Sequence, residues 1–333
     1  MNAPDRMVVD LAERLFADHT DALGCVPDEP LNRGLWTALV ASDLLTLMAP
    51  GDLHGLPEAC EVAREVGRTA ARAPVIESLV AAWAYAQCGW GRPAWEQGLA
   101  TYAFAAVGLA SPTLVSAAYG AEAREVVVFA DDMAFQFETA GAAPLPGANL
   151  AGEPRAMLAF DASRVRRSAP LPSAQARALA AVLRTAAMAG AAQRALAIAL
   201  EHARTRVQFG RPIGTFQAVQ QMLAQLAGQV ALLSAAADSA ATGFAMRGDP
   251  LLAAAAKAAA GEAVVPVTEA AHQVVAAIGY TREHDLHRYT RRLWSWRDED
   301  GTEMEWQELL GRRLLASNGT LWQFVTAVMT GME

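Results

Sequence analysis

Residues 171–205 read LPSAQARALAAVLRTAAMAGAAQRALAIALEHART, and this stretch decides the fold class. It consists largely of strong helix formers and holds no proline after its first turn. It therefore predicts one long helix over 172–205. Its small alanine side chains allow neighbouring helices to approach closely, as they do in an antiparallel bundle.

Three further helices are predicted on the C-terminal side, at about 215–247, 250–276 and 303–328. Pro266 lies inside the second of these and predicts a kink there. Together with the helix at 172–205 they predict a four-helix bundle over residues 169–333.

The residues before the bundle divide into two regions. Residues 6–88 repeat apolar residues at spacings of three and four, which predicts an N-terminal helical domain at 1–110. Asp28 and Asn32 are predicted helix caps, and Pro50-Gly51 is a predicted helix stop.

Residues 111–168 have a different character. EVVVF (125–129), FQFE (135–138) and AMLAF (156–160) are short β-branched or aromatic runs, which predicts a reduced middle β domain of four or five strands. The fold class expected is therefore mainly α, with a small sheet between two helical regions.

Composition excludes several function classes. The chain has 333 residues, of which 53% are hydrophobic, and a formal net charge of −8. The sequence lacks a dense basic cluster, so a nucleic-acid partner is not predicted. It also lacks an uncharged run of about 18 apolar residues, so a membrane span is not predicted. Cys25, Cys60 and Cys88 have no metal-ligand spacing, so no metal is expected, and scattered free thiols suggest a cytoplasmic protein.

The bundle is interrupted at residues 204–217, RTRVQFGRPIGTFQ. Gly210, Pro212 and Gly214 end one helix, and Thr215 is a candidate N-cap for the next. A plain helix–helix corner needs no more than this.

Arg206, Phe209 and Gln217 flank the same corner. A guanidinium suits a pyrophosphate, an aromatic ring suits a flat base and an amide suits polar edges. The residues alone leave a structural corner and a ligand site both open.

Two motifs carry a family resemblance. ARTRVQFGRPIGTFQAVQ (203–220) resembles the flavin-binding signature of the acyl-CoA dehydrogenases, and HQVVAAIGYTREHDLHRYTRRL (272–293) resembles the family's Gln-x-x-Gly-Gly-x-Gly-Tyr-Thr segment. The run VAREVGRTAARAPVIESLVAA (62–82) resembles its first helical domain. The resemblance implies the three-part fold already read from the periodicity.

The resemblance also implies cofactor contacts. Arg206, Phe209 and Gln217 would reach across a dimer interface to the ADP half of FAD. Gln273 and Gly279 would lie near the FAD pyrophosphate of the partner subunit. The matching motif positions add Ala277 and Thr302 to the expected FAD contacts.

The sequence departs from the family pattern in its middle domain. The chain runs from TYAFAAVGLASP (101–112) straight into TLVSAAYGAEAREVVVF, and Ser111-Pro112 is the expected remnant of the family's flavin-holding segment. Without the early strands, the chain is not expected to enclose a flavin ring by itself. The family's glycine pair is Ala276-Ala277 here, which should weaken a phosphate site.

The catalytic base is a further departure. The family uses a carboxylate to remove a proton, and one of its positions lies just before a Gly-Thr pair, which corresponds to Asp300-Gly301-Thr302. Aspartate is one methylene shorter than glutamate, although the related nitroalkane oxidases use it. The family's second base position falls near Ala180, which has no carboxylate. A solvated Asp300 within the acidic run DEDGTEMEWQE is the alternative.

The trimmed chain resembles the small subunits of bacterial heteromeric acyl-CoA dehydrogenases, which desaturate bulky acyl-CoA thioesters such as steroid-derived ones. This implies an α2β2 assembly in which a full-length acyl-CoA dehydrogenase subunit supplies most of the flavin pocket, with an electron-transfer flavoprotein as acceptor. Two alternatives stay open. One is a homo-oligomer that uses Asp300 as its base, and the other is a structural subunit that binds no flavin.

Overall fold

The computed structural model describes residues 4–20, 31–49, 52–105, 113–317 and 319–330. Four helices form the N-terminal region: α1 (Arg6–His19), α2 (Arg33–Ala41), α3 (Leu56–Thr69) and α4 (Val75–Gln87). Asn32 caps α2 as predicted, because its Oδ1 accepts a hydrogen bond of 2.9 Å from the Leu35 N–H. The other expected cap and stop, Asp28 and Pro50-Gly51, and also Cys25 and Ser111-Pro112, lie outside the described residues.

Among the described residues, seven strands form two small sheets between the helical regions. The strands are β1 (Leu99–Phe104), β2 (Thr113–Ala118), β3 (Ala123–Ala130), β4 (Met133–Glu138), β5 (Leu145–Ala148), β6 (Pro154–Phe160) and β7 (Val165–Pro170). One sheet has the order β1-β3-β4-β7 and the other β2-β6-β5.

The expected number of four or five strands was too low. β1 was missed because it follows a stretch rich in tryptophan, glycine and proline, and it lies on the N-terminal side of the boundary expected at residue 110. It pairs in parallel with β3, and β2 lies between these two strands in the sequence. Local patterns do not reveal such a pairing.

The two sheets enclose a core of their own. Val126, Val128, Phe137, Leu158 and Phe160 are buried there. The opposite face of β3 packs into the main core, which continues through α4 and α5. The sheets therefore depend on the helices for part of their burial.

The bundle follows the predicted plan in its first three helices: α5 (Ser173–Thr205), α6 (Gln217–Arg247) and α7 (Pro250–Val275). Pro266 lies inside α7, which continues to Val275. Next come α8 (Leu286–Asp298), α9 (Glu303–Ala316) and α10 (Leu321–Thr330).

The prediction of one helix over 303–328 was wrong. Ser317 closes α9, and Thr320 begins α10 because it exchanges hydrogen bonds with Gln323, its N–H donating to Oε1 at 2.8 Å. These polar caps separate the two helices.

A pair of glycines fixes the N-terminal region against the bundle. A Cβ on Gly67 of α3 would collide with the Ala187 carbonyl of α5, and a Cβ on Gly190 of α5 would collide with the Arg64 carbonyl of α3. The two helix backbones therefore touch, which only glycine permits.

One segment, Pro250–Tyr280, is long and apolar enough to cross a membrane by length and composition. In the described structure, 72% of its most apolar window is buried. It lies in the main core, where it packs against other helices.

Candidate functional site

The break between α5 and α6 is a two-residue β-hairpin. β8 (Val207–Gln208) pairs with β9 (Arg211–Pro212), and Phe209 and Gly210 form the turn with φ values of 53° and 79°. Two successive positive φ values match the twist of a tight hairpin. The sequence predicted a corner here but not its strands.

Thr215 does not cap α6. Its Oγ1 donates a 2.7 Å hydrogen bond to the Pro212 carbonyl, and α6 begins at Gln217 with Phe216 in the N-cap position. The hydroxyl is thus used inside the corner.

The three predicted clamp side chains face outwards. Phe209 is 91% exposed, and its ring has an edge-on contact with Phe216 at 6.1 Å. Arg206 and Gln217 are also exposed. Within the described part of the chain, neither of these two side chains makes a hydrogen bond or an ion pair. A strained, solvent-exposed aromatic residue beside a free guanidinium is typical of a contact with something outside the chain.

The second motif ends α7 in a conformation suited to glycine. Ala276 has φ 62° and ψ −151°, a region that is essentially restricted to glycine. Gln273 and Ala277 are exposed. Gly279 is buried, and a Cβ there would lie 3.1–3.3 Å from Val275, Leu286 and His272. The family's glycine has been lost at position 276, but the backbone conformation that it would favour is present.

Both motifs lie at the same end of the bundle. α5, α6 and α7 run up, down and up through short connections, so the corner at 206–217 and the end of α7 share one end. His202, near the end of α5, supports this placement. Its pKa is lowered by burial and then by the positive charges of His284 and Arg206. The structure therefore brings the predicted FAD contacts at 206–217 and 273–279 to one surface.

Asp300 is buried elsewhere, in a turn between α8 and α9. One carboxylate oxygen accepts a hydrogen bond from the Tyr102 hydroxyl and the other accepts one of 2.9 Å from Arg184 Nε. Burial would raise the pKa of Asp300, but the charge of Arg184 and these hydrogen bonds hold it below its ordinary value. Asp300 is thus not a solvated member of the acidic run, and its low pKa makes it a weak proton acceptor.

Arg184 is the centre of a larger buried charge network. It donates a 3.0 Å hydrogen bond to Glu77 of α4 and lies 3.5 Å from Glu299. Arg155 pairs with Glu299, and the network continues to Glu153, Arg292 and Trp296. It joins α4, α5, α8 and β6.

The cavity beside this network is very small. It has a volume of about 10 Å³ and is lined by Glu77, Glu153, Arg155 and Arg184 among others. Such a volume holds about one water molecule and no acyl chain. Ala180, at the family's second base position, is buried one turn before Arg184. Sequence reasoning missed Arg184, although a single charge within the apolar run 178–192 was a usable signal.

A larger pocket of about 630 Å³ lies where the sheet meets the starts of α5, α7 and α9. Phe104 stacks on Phe129 with their ring centroids 5.3 Å apart. Arg177 Cζ lies 5.8 Å from the centroid of the Trp306 ring. Trp306 Nε1 is buried without a hydrogen-bond partner in the described residues. We call this space the aromatic pocket.

The aromatic pocket adjoins the turn that holds Asp300, because the backbone of Gly301 packs on the Trp306 ring. Thr302 caps the start of α9 and forms a capping box with Glu305. The Thr302 N–H donates a hydrogen bond of 2.7 Å to the Glu305 carboxylate. The polar groups of Thr302 are therefore already engaged within the chain. Of the two cavities described, neither has Asp300 in its lining.

The two regions are far apart within one chain. Asp300 pairs with Arg184, and Arg206 lies 22 residues further along α5, which at 1.5 Å per residue is about 33 Å. Hence no single copy brings the corner and the Asp300 turn together. Among the described residues, no group of three or more metal-ligating side chains occurs.

Comparison with known proteins agrees with this geometry. Residues 175–315 match the family described as acyl-CoA dehydrogenase, C-terminal domain. The chain is 37% identical over 158 residues to the 3-sulfinopropanoyl-CoA desulfinase of Paraburkholderia xenovorans, covering 44% of this chain and 41% of that protein. It is 40% identical over 113 residues to the acyl-CoA dehydrogenase IpdE2 of Mycobacterium tuberculosis, covering 34% of each.

These matches span 41% and 34% of the two relatives' lengths. Solved structures cover far more of the chain. The ChsE4–ChsE5 complex of M. tuberculosis superposes with a TM-score of 0.76 at 25% identity, covering 96% of this chain and 100% of that one. A steroid ACAD, the Tcur3481–Tcur3483 G363A variant, gives a TM-score of 0.79 at 23% identity, covering 93% and 97%.

Proposed function

Because this chain is a member of the acyl-CoA dehydrogenase family, we propose that it is one subunit of an FAD-dependent heteromer that desaturates a bulky acyl-CoA at its α,β bond. The chain contributes part of the FAD clamp, and a full-length acyl-CoA dehydrogenase subunit contributes the base and most of the flavin pocket. The expected assembly is α2β2, and an electron-transfer flavoprotein is the expected acceptor.

One observation carries this proposal. The clamp residues lie at an outer end of the bundle with exposed and unengaged side chains, about 33 Å from the Asp300 turn. Within the described residues, the Arg206 guanidinium has no partner, and the Phe209 ring has only an edge contact with Phe216. They serve a dinucleotide that is held mainly by a neighbouring subunit.

The residues of this chain fit a dinucleotide. Arg206 can pair with a pyrophosphate, Phe209 can lie on the adenine face, and Gln217 and Gln273 can donate to polar edges. Ala276 has a positive φ and Gly279 has no side chain, so both positions have the backbone or the small size of a glycine at the end of α7. When bound, FAD supplies the two-electron acceptor of the reaction.

The base is proposed to lie on the partner. Asp300 has both carboxylate oxygens engaged and a lowered pKa, and Ala180 offers no carboxylate. The cavity beside the charge network around Arg184 has a volume of about 10 Å³, which holds no acyl chain. These observations count against the homo-oligomer that uses Asp300 as its base.

The heteromer and the substrate class are supported by the relatives. The ChsE4–ChsE5 structure is a complex of two differently named chains, and IpdE2 is an acyl-CoA dehydrogenase. Both the desulfinase and IpdE2 match part of this chain, so a CoA thioester is the common substrate class and the desaturation is our proposal. A bulky acyl group is proposed by analogy with the steroid ACAD that shares this fold.

The test is a visible absorbance spectrum with a mass in solution. The chain is purified alone and then co-expressed with a full-length dehydrogenase subunit encoded near it. We expect a colourless chain alone and a yellow tetramer with fewer flavins than chains when paired. A yellow, active homo-oligomer would overturn the heteromeric proposal.

A matched pair of variants tests the clamp. Arg206→Ala should weaken flavin retention by the pair at least tenfold. Arg204→Ala, an exposed arginine two residues away, should leave flavin retention unchanged. Equal flavin content in both variants and the parent would favour the structural subunit that binds no flavin through this chain.

A further inference from the structure

The use of cations in this chain is highly uneven. It contains 27 lysines and arginines, and Lys257 is the only lysine among them. Lys257 is also 0% exposed, in the middle of α7. All the remaining cationic positions hold arginine, and the single lysine lies where burial is complete.

The ammonium of Lys257 binds backbone and no carboxylate. Its Nζ donates to the Arg297 carbonyl at 2.7 Å and to the Gly301 carbonyl at 3.0 Å. The Arg297 carbonyl lies in the last turn of α8, where helix carbonyls lack partners within the helix. Lys257 therefore caps α8 and ties it to the Asp300 turn.

That turn has two successive positive φ values. Asp300 has φ 59°, which is uncommon outside glycine, and Gly301 has φ 110°, which glycine adopts freely. A Cβ on Gly301 would collide with the Trp306 ring, and the Asp300 conformation persists where its surroundings hold it. Here buried groups from three elements do so: Lys257 of α7 holds the backbone, and Arg184 of α5 and Tyr102 of β1 hold the Asp300 carboxylate.

Arginine would not perform the same task. The compact lysine ammonium can point its hydrogens at two carbonyls that lie close together, whereas a planar guanidinium needs more room and a flat acceptor pair. Burial lowers the pKa of Lys257 to about 8, and the nearby charge of Asp300 opposes this shift. Both protonation states retain enough N–H donors for the two carbonyls.

We propose that Lys257 is a positioning residue that sets the wall of the aromatic pocket. It acts through the carbonyls of Arg297 and Gly301, which fix the turn on which Trp306 and the start of α9 lie. This role rests on the proposed function and on one further premise: the aromatic pocket, at the opposite end of the bundle from the clamp, also faces the flavin-bearing partner.

The experiment compares Lys257→Met and Lys257→Arg with a matched control on the same helix. Thr268→Val removes a buried hydroxyl that bonds only to α7 carbonyls and does not touch the turn. Amide hydrogen exchange over residues 299–306 is measured in each folded protein, in the assembly that holds flavin. Flavin retention is measured in parallel.

We expect both Lys257 variants to exchange at least tenfold faster at 299–306 and to lose flavin at least tenfold more readily. Thr268→Val should change neither quantity at equal loss of global stability. Unchanged exchange at 299–306 in a folded Lys257→Met protein would overturn the proposal. Faster exchange without faster flavin loss would overturn the link to the pocket.

The exchange readout separates this proposal from the proposed function. If no assembly of the parent protein binds flavin, the proposed function fails, and the proposal about the pocket fails with it, while exchange still reports whether Lys257 holds the turn. If neither Lys257 variant folds, the proposal is tested by NMR on the parent protein. With ¹³C-lysine it gives one lysine side-chain signal, which should shift when the assembly is loaded with FAD, and an unchanged signal would overturn the proposal.

Discussion

The corner at 206–217 and the turn at 298–302 both match family motifs, yet their environments are opposite. At the corner the side chains of Arg206, Phe209 and Gln217 are exposed, and within the described residues Arg206 and Gln217 make no side-chain hydrogen bond or ion pair. At the turn both oxygens of Asp300 are bonded and its side chain is 5% exposed. Two positions that resemble family motifs thus differ: one presents exposed side chains to the outside, and the other holds a carboxylate inside a buried ion network.

The largest expected effect comes from breaking that network. Arg184→Met should destabilise the chain by about 3–5 kcal/mol, because it leaves Asp300 and Glu77 buried and uncompensated. Urea unfolding measures the change. Arg312→Met, which removes an exposed pair with Glu308, should change stability little.

The same variant has a pH signature. The folded-state pKa of Asp300 lies below its ordinary value, so its contribution to stability is present above that ordinary value and is lost as the pH falls through the folded-state pKa. Without Arg184 that pKa rises, so acid unfolding should begin at a higher pH. An acid transition identical to the parent's would mean that Arg184 does not compensate Asp300.

The outer end of the bundle should respond in the opposite direction. Ala276→Gly should stabilise the chain by about 1–3 kcal/mol, because alanine at φ 62° and ψ −151° is strained and glycine is not. Ala277→Gly is the control, since Ala277 lies in the short helix that follows and has no positive φ. Thermal or urea unfolding of the two variants decides the question, and equal effects would count against strain at position 276.

Phe209 offers a sharper contrast between stability and function. Phe209→Gly should raise the stability of the lone chain by about 1 kcal/mol, because glycine adopts φ 53° without strain. The same change should weaken flavin retention in the assembly at least tenfold. Loss of stability together with unchanged flavin retention would assign Phe209 a structural role.

Much of the fold follows from local sequence patterns. The α5, α6 and α7 helices, the cap at Asn32 and the break near Phe209 all follow from propensity and turn chemistry, which act within a few residues. The strand β1 did not, because its parallel partner β3 is distant in sequence. Local patterns also misassigned Thr215, whose hydroxyl bonds back into its own corner.

The candidate site divides in the same way. The clamp residues stand in a contiguous motif, so the sequence can propose them, and the same holds for Asp300; the FAD contacts of the clamp stay a prediction. The environment of Asp300 could not be predicted, because Tyr102 and Arg184 come from elements more than a hundred residues earlier in the chain. The role of Lys257 depends likewise on two backbone carbonyls that no side-chain pattern reports.

The smallest expected effect concerns the coupling between Asp300 and Lys257. Because the Asp300 charge raises the pKa of Lys257 and the Arg184 charge lowers it, Asp300→Asn should move that pKa below its present value of about 8. Asp298→Asn should move it less, because the charge of Asp298 acts on Lys257 more weakly than that of Asp300. A pH titration of the single ¹³C-lysine signal measures both shifts.

The pH dependence of stability follows from the low folded-state pKa of Lys257. Between about pH 8 and 10.5 the unfolded chain binds the proton more strongly than the folded chain, so this group makes stability rise with pH in that window. A pKa that does not respond to Asp300→Asn would mean that the carboxylate and the ammonium act on the turn independently, and the turn would then be held by two separate devices instead of one coupled network.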